Sequence, residues 1–312
     1  MKKINDLLTV HNSILATVSV LVLLAALIVM GLLTPFIVKI TTGEKILLDA
    51  TYFNVRTAVP VLALVILLII CLLMGSAGKK ESITVLGLGV TGSGLSAYFS
   101  LFPSMPINIA FPLLAAALFA GIYRLISLFS LKDKALKGNM RRVGSHIIHL
   151  GVILLLLGIV FSTNMKQEDS AVIHTGKVAT FESMGYSIYV TNISSGVEGK
   201  PFSGYSGSAY VSTVDFDVYR RGRLLDQGQI RYISDYKWGQ AYTETYIHRG
   251  LLEELFIAPK SVDTEGEAVD LYVRKVPFMT FLWGGFYIMA LGMVMIFVSE
   301  FLFPETKKKV KL

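Results

Sequence analysis

The chain has 312 residues, of which 53% are hydrophobic and only 16% are charged, and its formal net charge is +7. Because the apolar residues are concentrated in long blocks, the composition excludes an ordinary soluble domain and indicates a polytopic membrane protein with one soluble insertion. The single cysteine, Cys71, lies inside an apolar block. A disulfide framework, a redox pair of cysteines and a cysteine-ligated zinc are therefore excluded within this chain.

Six apolar segments each approach the ~20 residues that cross the hydrocarbon layer of a membrane. They are predicted at residues 13–38, 57–75, 83–101, 107–130, 144–163 and 278–303. Basic clusters flank these segments at Lys2, Lys3, Lys79, Lys80, Lys132, Lys134, Lys137, Arg141, Arg142, Lys307, Lys308, Lys309 and Lys311. If every segment spans the membrane, all the clusters fall on one side, which predicts that both termini are cytoplasmic. We expect membrane lipid, and not nucleic acid, to be the partner of these charges.

Residues 164–276 differ in composition from the rest and are predicted to be extracytoplasmic. Runs that alternate with period two at 186–191, 209–219 and 229–233 predict short strands, and residues 220–223 predict a hairpin turn. The expected fold is therefore an α-helical polytopic membrane protein of six transmembrane helices, with a β-rich sandwich or barrel inserted between helices five and six. The predicted domains are 1–163, with five helices, 164–276, and 277–312, with the sixth helix and a basic tail.

Residues 87–92 match the G-x-G-x-x-G pattern of dinucleotide-binding proteins. That pattern requires a strand before it and a helix after it in an aqueous βαβ unit. Here it lies inside a predicted membrane span, where small residues allow helices to pack closely. We interpret it as a packing feature.

The fifth span begins with Arg141 and Arg142 and carries His146 and His149 within two turns. An ionisable side chain at membrane depth marks a candidate functional site, and residues three apart share one helix face. Two interpretations are equally open from these residues: ligation of a haem iron, or a hydrogen bond to a neighbouring helix. Arg141, Arg142 and Arg124 are candidates to pair with haem propionates, although the orientation rule for basic residues explains them equally well.

Arg142-Val143-Gly144 followed by His149-Leu150-Gly151 resembles the signature that opens a late transmembrane helix of the CcmF family of cytochrome c haem lyases. Further similar passages occur in family order along the whole chain. They are Leu33-Thr34-Pro35, Thr42-Gly43-Glu44-Lys45, Tyr52-Phe53-Asn54, Asp270-Leu271-Tyr272-Val273, Pro277, Trp283-Gly284-Gly285 and Leu291-Gly292. The order of these passages is more specific than any one of them. The sequence lacks the family's tryptophan-rich loop, since its tryptophans are Trp238 and Trp283 alone, so it resembles the C-terminal half of the family as a separate polypeptide.

The resemblance implies a subunit of a haem lyase complex in the plasma (inner) membrane, which attaches haem covalently to apocytochrome c. It implies that His149 is one axial ligand of a transmembrane haem b, and His146 is a weaker candidate. The opposite ligand is expected from a partner subunit that carries the tryptophan-rich domain, and a haem chaperone is expected to deliver the substrate haem. The chain alone is not expected to be active.

The alternative function is a non-enzymatic membrane scaffold or sensor with an extracytoplasmic binding domain. The remaining histidines, His11, His174 and His248, match no family position, and we expect His174 and His248 to be solvated.

Overall fold

A computed structural model describes residues 9–74, 77–129, 136–263 and 267–302. The helices in these ranges are α1 (Val10–Thr42), α2 (Ala50–Met74), α3 (Lys79–Phe99), α4 (Met105–Phe129), α5 (Leu136–Asn164) and α6 (Met279–Leu302). All six are long and apolar enough to cross a membrane, so the chain is a multi-pass membrane protein, as predicted. The basic residues Lys2, Lys3, Lys132, Lys134, Lys307, Lys308, Lys309 and Lys311 lie outside the described ranges.

Helices α1 and α5 extend beyond their predicted spans, 13–38 and 144–163, at both ends, whereas α6 lies within its predicted span, 278–303. The ends of α1 show how polar residues lengthen a helix. Thr9 begins α1 by accepting a hydrogen bond from the Asn12 amide at 3.2 Å. Gly43 ends α1 in the left-handed conformation, with φ of 75°, and donates its amide to the Lys39 carbonyl. Such capping residues lie outside the apolar blocks that define a span in the sequence.

Asn108 joins α3 to α4 and is only 2% exposed. Its Oδ1 accepts hydrogen bonds from Ser96 Oγ at 2.8 Å and from the Phe102 amide at 3.0 Å. Its Nδ2 donates to the carbonyls of Phe102 and Ser104 at 2.9 and 3.0 Å. One amide side chain therefore satisfies the backbone of the turn between two membrane helices, where unpaired polar groups are costly.

The G-x-G-x-x-G stretch lies within α3, and the described element before it is the helix α2, not a strand. A Cβ added at Gly89 would lie 3.2 Å from Ala116 Cβ, and one at Gly92 would lie 3.2 Å from Pro112 Cβ. Ser93 Oγ also donates to the Ile109 carbonyl at 2.7 Å. These close contacts between α3 and α4 confirm the packing interpretation.

The β domain contains two antiparallel sheets. The strands are β1 (Gln167–His174), β2 (Val178–Phe181), β3 (Tyr186–Glu198), β4 (Ala209–Arg220), β5 (Arg223–Asp235), β6 (Gln240–Glu244), β7 (Tyr246–Arg249), β8 (Glu253–Val262) and β9 (Ala268–Pro277). One sheet has the order β1-β9-β8-β7 and the other has the order β2-β3-β4-β5-β6. Their inward-facing apolar residues form one buried cluster between the sheets, which confirms the predicted β-rich domain. The pairing of β1 with β9 brings the first and last strands of the domain side by side.

A half-buried ion-pair network lies at one end of the β domain, around Glu253. Its carboxylate accepts a hydrogen bond from Tyr186 Oη at 2.8 Å, pairs with Lys275 Nζ at 3.1 Å and also pairs with Arg220. Burial and the bond to Glu253 raise the pKa of Tyr186 to about 12. The tyrosine therefore stays a neutral donor to the carboxylate at ordinary pH.

The chain divides into two compact units. One contains the residues up to Val160 together with those from Phe281 onward, and the other is Phe161–Thr280. The helical unit contains the histidines of α5, and the second unit contains the β domain.

Candidate functional site

Five glycines bring α5 and α6 into backbone contact. A Cβ on Gly144 would lie 2.9 Å from the Gly292 carbonyl oxygen, and a Cβ on Gly151 would lie 2.7 Å from that of Gly285. Gly158 makes the same kind of contact with the backbone of Leu282. Contacts this close leave no room for a side chain, so these glycines fix how the two helices face each other.

The glycine contacts also fix the direction of the histidines on α5. Gly144, Gly151 and Gly158 are seven residues apart, so they form one stripe that drifts by only about 20° per step. At about 100° per residue, His149 lies roughly 160° and His146 roughly 140° around the helix from Gly151. Both histidines therefore lie on the side of α5 that faces away from α6.

Helix α4 packs near the histidine side of α5. A Cβ on Gly121 of α4 would lie 3.5 Å from Ile153 Cδ1 and 3.9 Å from Leu150 Cδ1. Arg124, one turn further along α4, is close enough to His146 and to Arg142 to interact with them electrostatically. The histidines therefore lie beside a helix that contributes positive charge.

The imidazole rings of His146 and His149 are neighbours, with centroids 5.9 Å apart. Nδ1 of each ring is buried and has no hydrogen-bond partner among the described residues. The hydrogen bond to a neighbouring helix that we weighed as an alternative is thus not formed at these enclosed atoms. An unpaired buried ring nitrogen costs roughly 1–3 kcal/mol, and no described residue offsets this cost at either ring.

The two arginines at the start of α5 differ in their surroundings. Arg141 Nη1 pairs with Glu300 Oε1 of α6 at 3.3 Å. Arg142 is exposed and, within the described ranges, forms no ion pair with a carboxylate. It is close enough to Arg124 for the two positive charges to interact. Arg142 also precedes His149 by seven residues and so shares its face, about 10 Å along the helix axis. Arg124 and Arg142 thus form a positive pair for which no ion pair with a described carboxylate is seen, and such a pair suits an anionic group.

These residues fit a haem group better than a metal ion held by side chains alone. No group of three or more His, Cys, Asp or Glu side chains in the described part of the chain is arranged to hold a metal. A haem needs only axial ligands from the protein, and its propionates need cations. The face of α5 with His149 and Arg142 carries an imidazole and a cation.

The other histidines lie elsewhere. His11 is exposed in the first turn of α1, and His174 is exposed at the end of β1, as expected. His248 on β7 is not freely solvated: its side chain is 24% exposed, and its Nδ1 lies 3.0 Å from Asp226 Oδ2. Asp226 also accepts a hydrogen bond from Tyr246. Burial, the bond to Asp226 and its charge raise the pKa of Tyr246.

The glycines at the contact between α5 and α6 were not predicted from the sequence, although their spacing indicates such a contact. Gly144, Gly151 and Gly158 on one helix and Gly285 and Gly292 on the other are each seven apart. Small residues at such spacing in apolar segments indicate close helix packing. Four of these five glycines belong to the motifs that suggested the family resemblance, and in the structure those motifs meet.

No protein-family model and no curated protein matches the sequence. Among solved structures, the fold is similar to one described as "Cytochrome c Heme Lyase CcmF", with a TM-score of 0.72 and 19% sequence identity. The match covers 93% of this chain and 46% of that one, so the chain spans less than half the length of the solved lyase. The comparison confirms the resemblance at the level of the fold.

Proposed function

We propose that the chain is a subunit of a cytochrome c haem lyase complex and that His149 supplies one axial ligand of a transmembrane haem b. The observation that carries the proposal is the position of His149. Its Nδ1 is enclosed and unpaired among the described residues, on a face of α5 turned away from α6, within a fold that resembles a haem lyase.

The residues around His149 would hold the haem and orient it. Because Nδ1 of His149 is enclosed, the nitrogen left for an external ligand is Nε2. The glycine contacts fix the rotation of α5 relative to α6. Arg142 and Arg124 would neutralise the haem propionates. Because Arg141 is engaged by Glu300, we assign it a smaller part. The chemistry that haem b would supply is one-electron transfer, tuned by its axial ligands.

We propose that the opposite axial ligand comes from a partner subunit that carries a tryptophan-rich domain. His146 lies on the same helix as His149, one turn away, and two such side chains cannot approach one porphyrin from opposite faces. His174 and His248 lie in the β domain. The partner would also receive haem from a chaperone and present it to apocytochrome c, whose thiols form the new bonds. Both termini of this subunit would be cytoplasmic and the β domain extracytoplasmic.

The test is a reduced-minus-oxidised absorption spectrum of the complex purified with its tryptophan-rich partner. Wild type should show a low-spin b-type band. His149→Ala should lose this band while the two chains still co-purify. His146→Ala is the matched control, because it removes the neighbouring imidazole from the same helix, and it should keep the band.

An unchanged band in His149→Ala would contradict the ligand assignment. Loss in His146→Ala alone would move the ligand to the other turn of the helix. A complex that never contains haem would favour the scaffold or sensor alternative.

A further inference from the structure

The hairpin between β4 and β5 carries three arginines in four residues. Arg221 and Gly222 form its two-residue turn, with φ of 50° and 76°, as in the type I′ turns that suit twisted strands. Arg220, Arg221 and Arg223 line an open cavity of about 580 Å³. Arg220 is engaged by Glu253. Arg221 and Arg223 are exposed and pair with no carboxylate in the part of the chain that the structure describes.

This hairpin lies at the end of the β domain from which the chain enters α6. Glu253, which binds Arg220, is the strand partner of Pro277, and α6 begins two residues later at Met279. Phe278 has a positive φ of 59°, which is unfavourable for a bulky residue. Its amide donates to the Leu252 carbonyl at 2.6 Å, which helps to hold that conformation.

Two leucines on the turn between β7 and β8 are exposed at the same end of the domain. Leu251 is 79% exposed and Leu252 is 62% exposed. Thr280, in the first turn of α6, donates its hydroxyl to the Leu251 carbonyl at 2.5 Å. The leucines are therefore bonded to the residues at which α6, a helix long and apolar enough to cross a membrane, begins.

We propose that this end of the β domain, formed by Leu251, Leu252 and the Arg220–Arg223 hairpin, is a membrane-binding face. The two leucines enter the apolar layer, and Arg221 with Arg223 binds the phosphate of an anionic phospholipid headgroup. Guanidinium groups match phosphate oxygens in geometry and charge, and cations near a membrane surface attract anionic lipids. A headgroup is favoured over free phosphate because the apolar residues lie on the same face and are tied to the start of α6.

The depth of the leucines can be measured with a nitroxide spin label in a lipid bilayer. The full chain carries Cys71→Ser with either Leu251→Cys or, as matched control, Val197→Cys. Val197 is 45% exposed and pairs with Tyr210, at the opposite end of β4 from Arg220. The label at 251 should be relaxed more by oxygen than by a water-soluble nickel complex, and the label at 197 should show the reverse. Equal access of the nickel complex to both labels would overturn the proposal.

The lipid site can be tested by the retention of phosphatidylglycerol after detergent exchange of the full chain. Arg221→Gln with Arg223→Gln should lower the retained lipid several-fold. Lys200→Gln with Lys237→Gln removes the same charge from the opposite end of the sheet and should leave it unchanged. An equal loss of retained lipid in both double variants would show that retention depends only on net charge. Displacement of the lipid by millimolar inorganic phosphate would show a free-anion site instead. A double variant that loses only a protein partner would show a protein-docking face. Each of these three results would overturn the lipid assignment.

Discussion

Gly151→Ala tests whether backbone contact between α5 and α6 sets the position of the histidine face. The new Cβ would lie 2.6 Å from the Met289 amide nitrogen, whereas ordinary van der Waals contact begins at 3.4 Å. The two helices must therefore separate locally by about 0.8 Å. Overpacking of this kind costs about 1–3 kcal/mol. Removing a glycine from a helix interior recovers up to about 1 kcal/mol, so we expect a smaller net destabilisation.

Gly284→Ala is the matched control, because a Cβ there meets nothing within 4 Å. It gains the same helix propensity without the clash, so the two variants should differ by the overpacking cost alone, about 1–3 kcal/mol. The free energy of unfolding can be measured by titration with SDS in mixed micelles, read by tryptophan fluorescence. If the two variants unfold at the same SDS fraction, the close contact between the helices, and the orientation inferred from it, would be refuted.

Two further predictions concern polar groups outside the histidine face. Asn108→Ala removes the four hydrogen bonds that the buried amide side chain forms between α3 and α4 and should destabilise the protein by roughly 1–3 kcal/mol. Thr91→Ala, which removes an exposed hydroxyl from α3, should have little effect in the same SDS titration. Glu253→Gln should cost roughly 3 kcal/mol at neutral pH, because Lys275 and Arg220 lose a shared carboxylate. Burial raises the pKa of Glu253. The hydrogen bonds from Tyr186 and Lys275 and the charges of Lys275 and Arg220 lower it by more, so the pKa of Glu253 lies below its ordinary value. Its contribution is therefore present above the ordinary glutamate pKa of about 4.3 and is lost as the pH falls through the lowered value. The stability difference between wild type and Glu253→Gln should shrink in acid, and a constant difference down to pH 3 would contradict this network.

The membrane helices and the strands could be predicted because their signals are local. Apolar blocks mark the spans, and alternating residues mark strands such as β3 and β4. The hairpin at 220–223 was predicted correctly because Gly222 suits its turn. Helix ends were less accurate, since they depend on single capping groups such as that of Thr9.

The contacts that shape the candidate site could not be predicted because they join distant parts of the chain. Gly144 meets Gly292, and Arg141 meets Glu300, about 150 residues along the sequence. Arg141 and Arg142 are equivalent in the sequence, and they differ only because Glu300 of α6 pairs with Arg141. Likewise, the partner of His248 is Asp226, on another strand of the other sheet.

The most direct test of the central claim is rescue of the haem spectrum by free imidazole. In the complex with the tryptophan-rich partner, His149→Gly removes the proposed ligand and leaves a space that imidazole can fill. His146→Gly carries the same backbone cost and serves as the control. We predict that His149→Gly loses the low-spin band and regains it when imidazole is added, while His146→Gly keeps the band throughout. A low-spin band that survives in His149→Gly without imidazole would contradict the claim that this ring binds the iron.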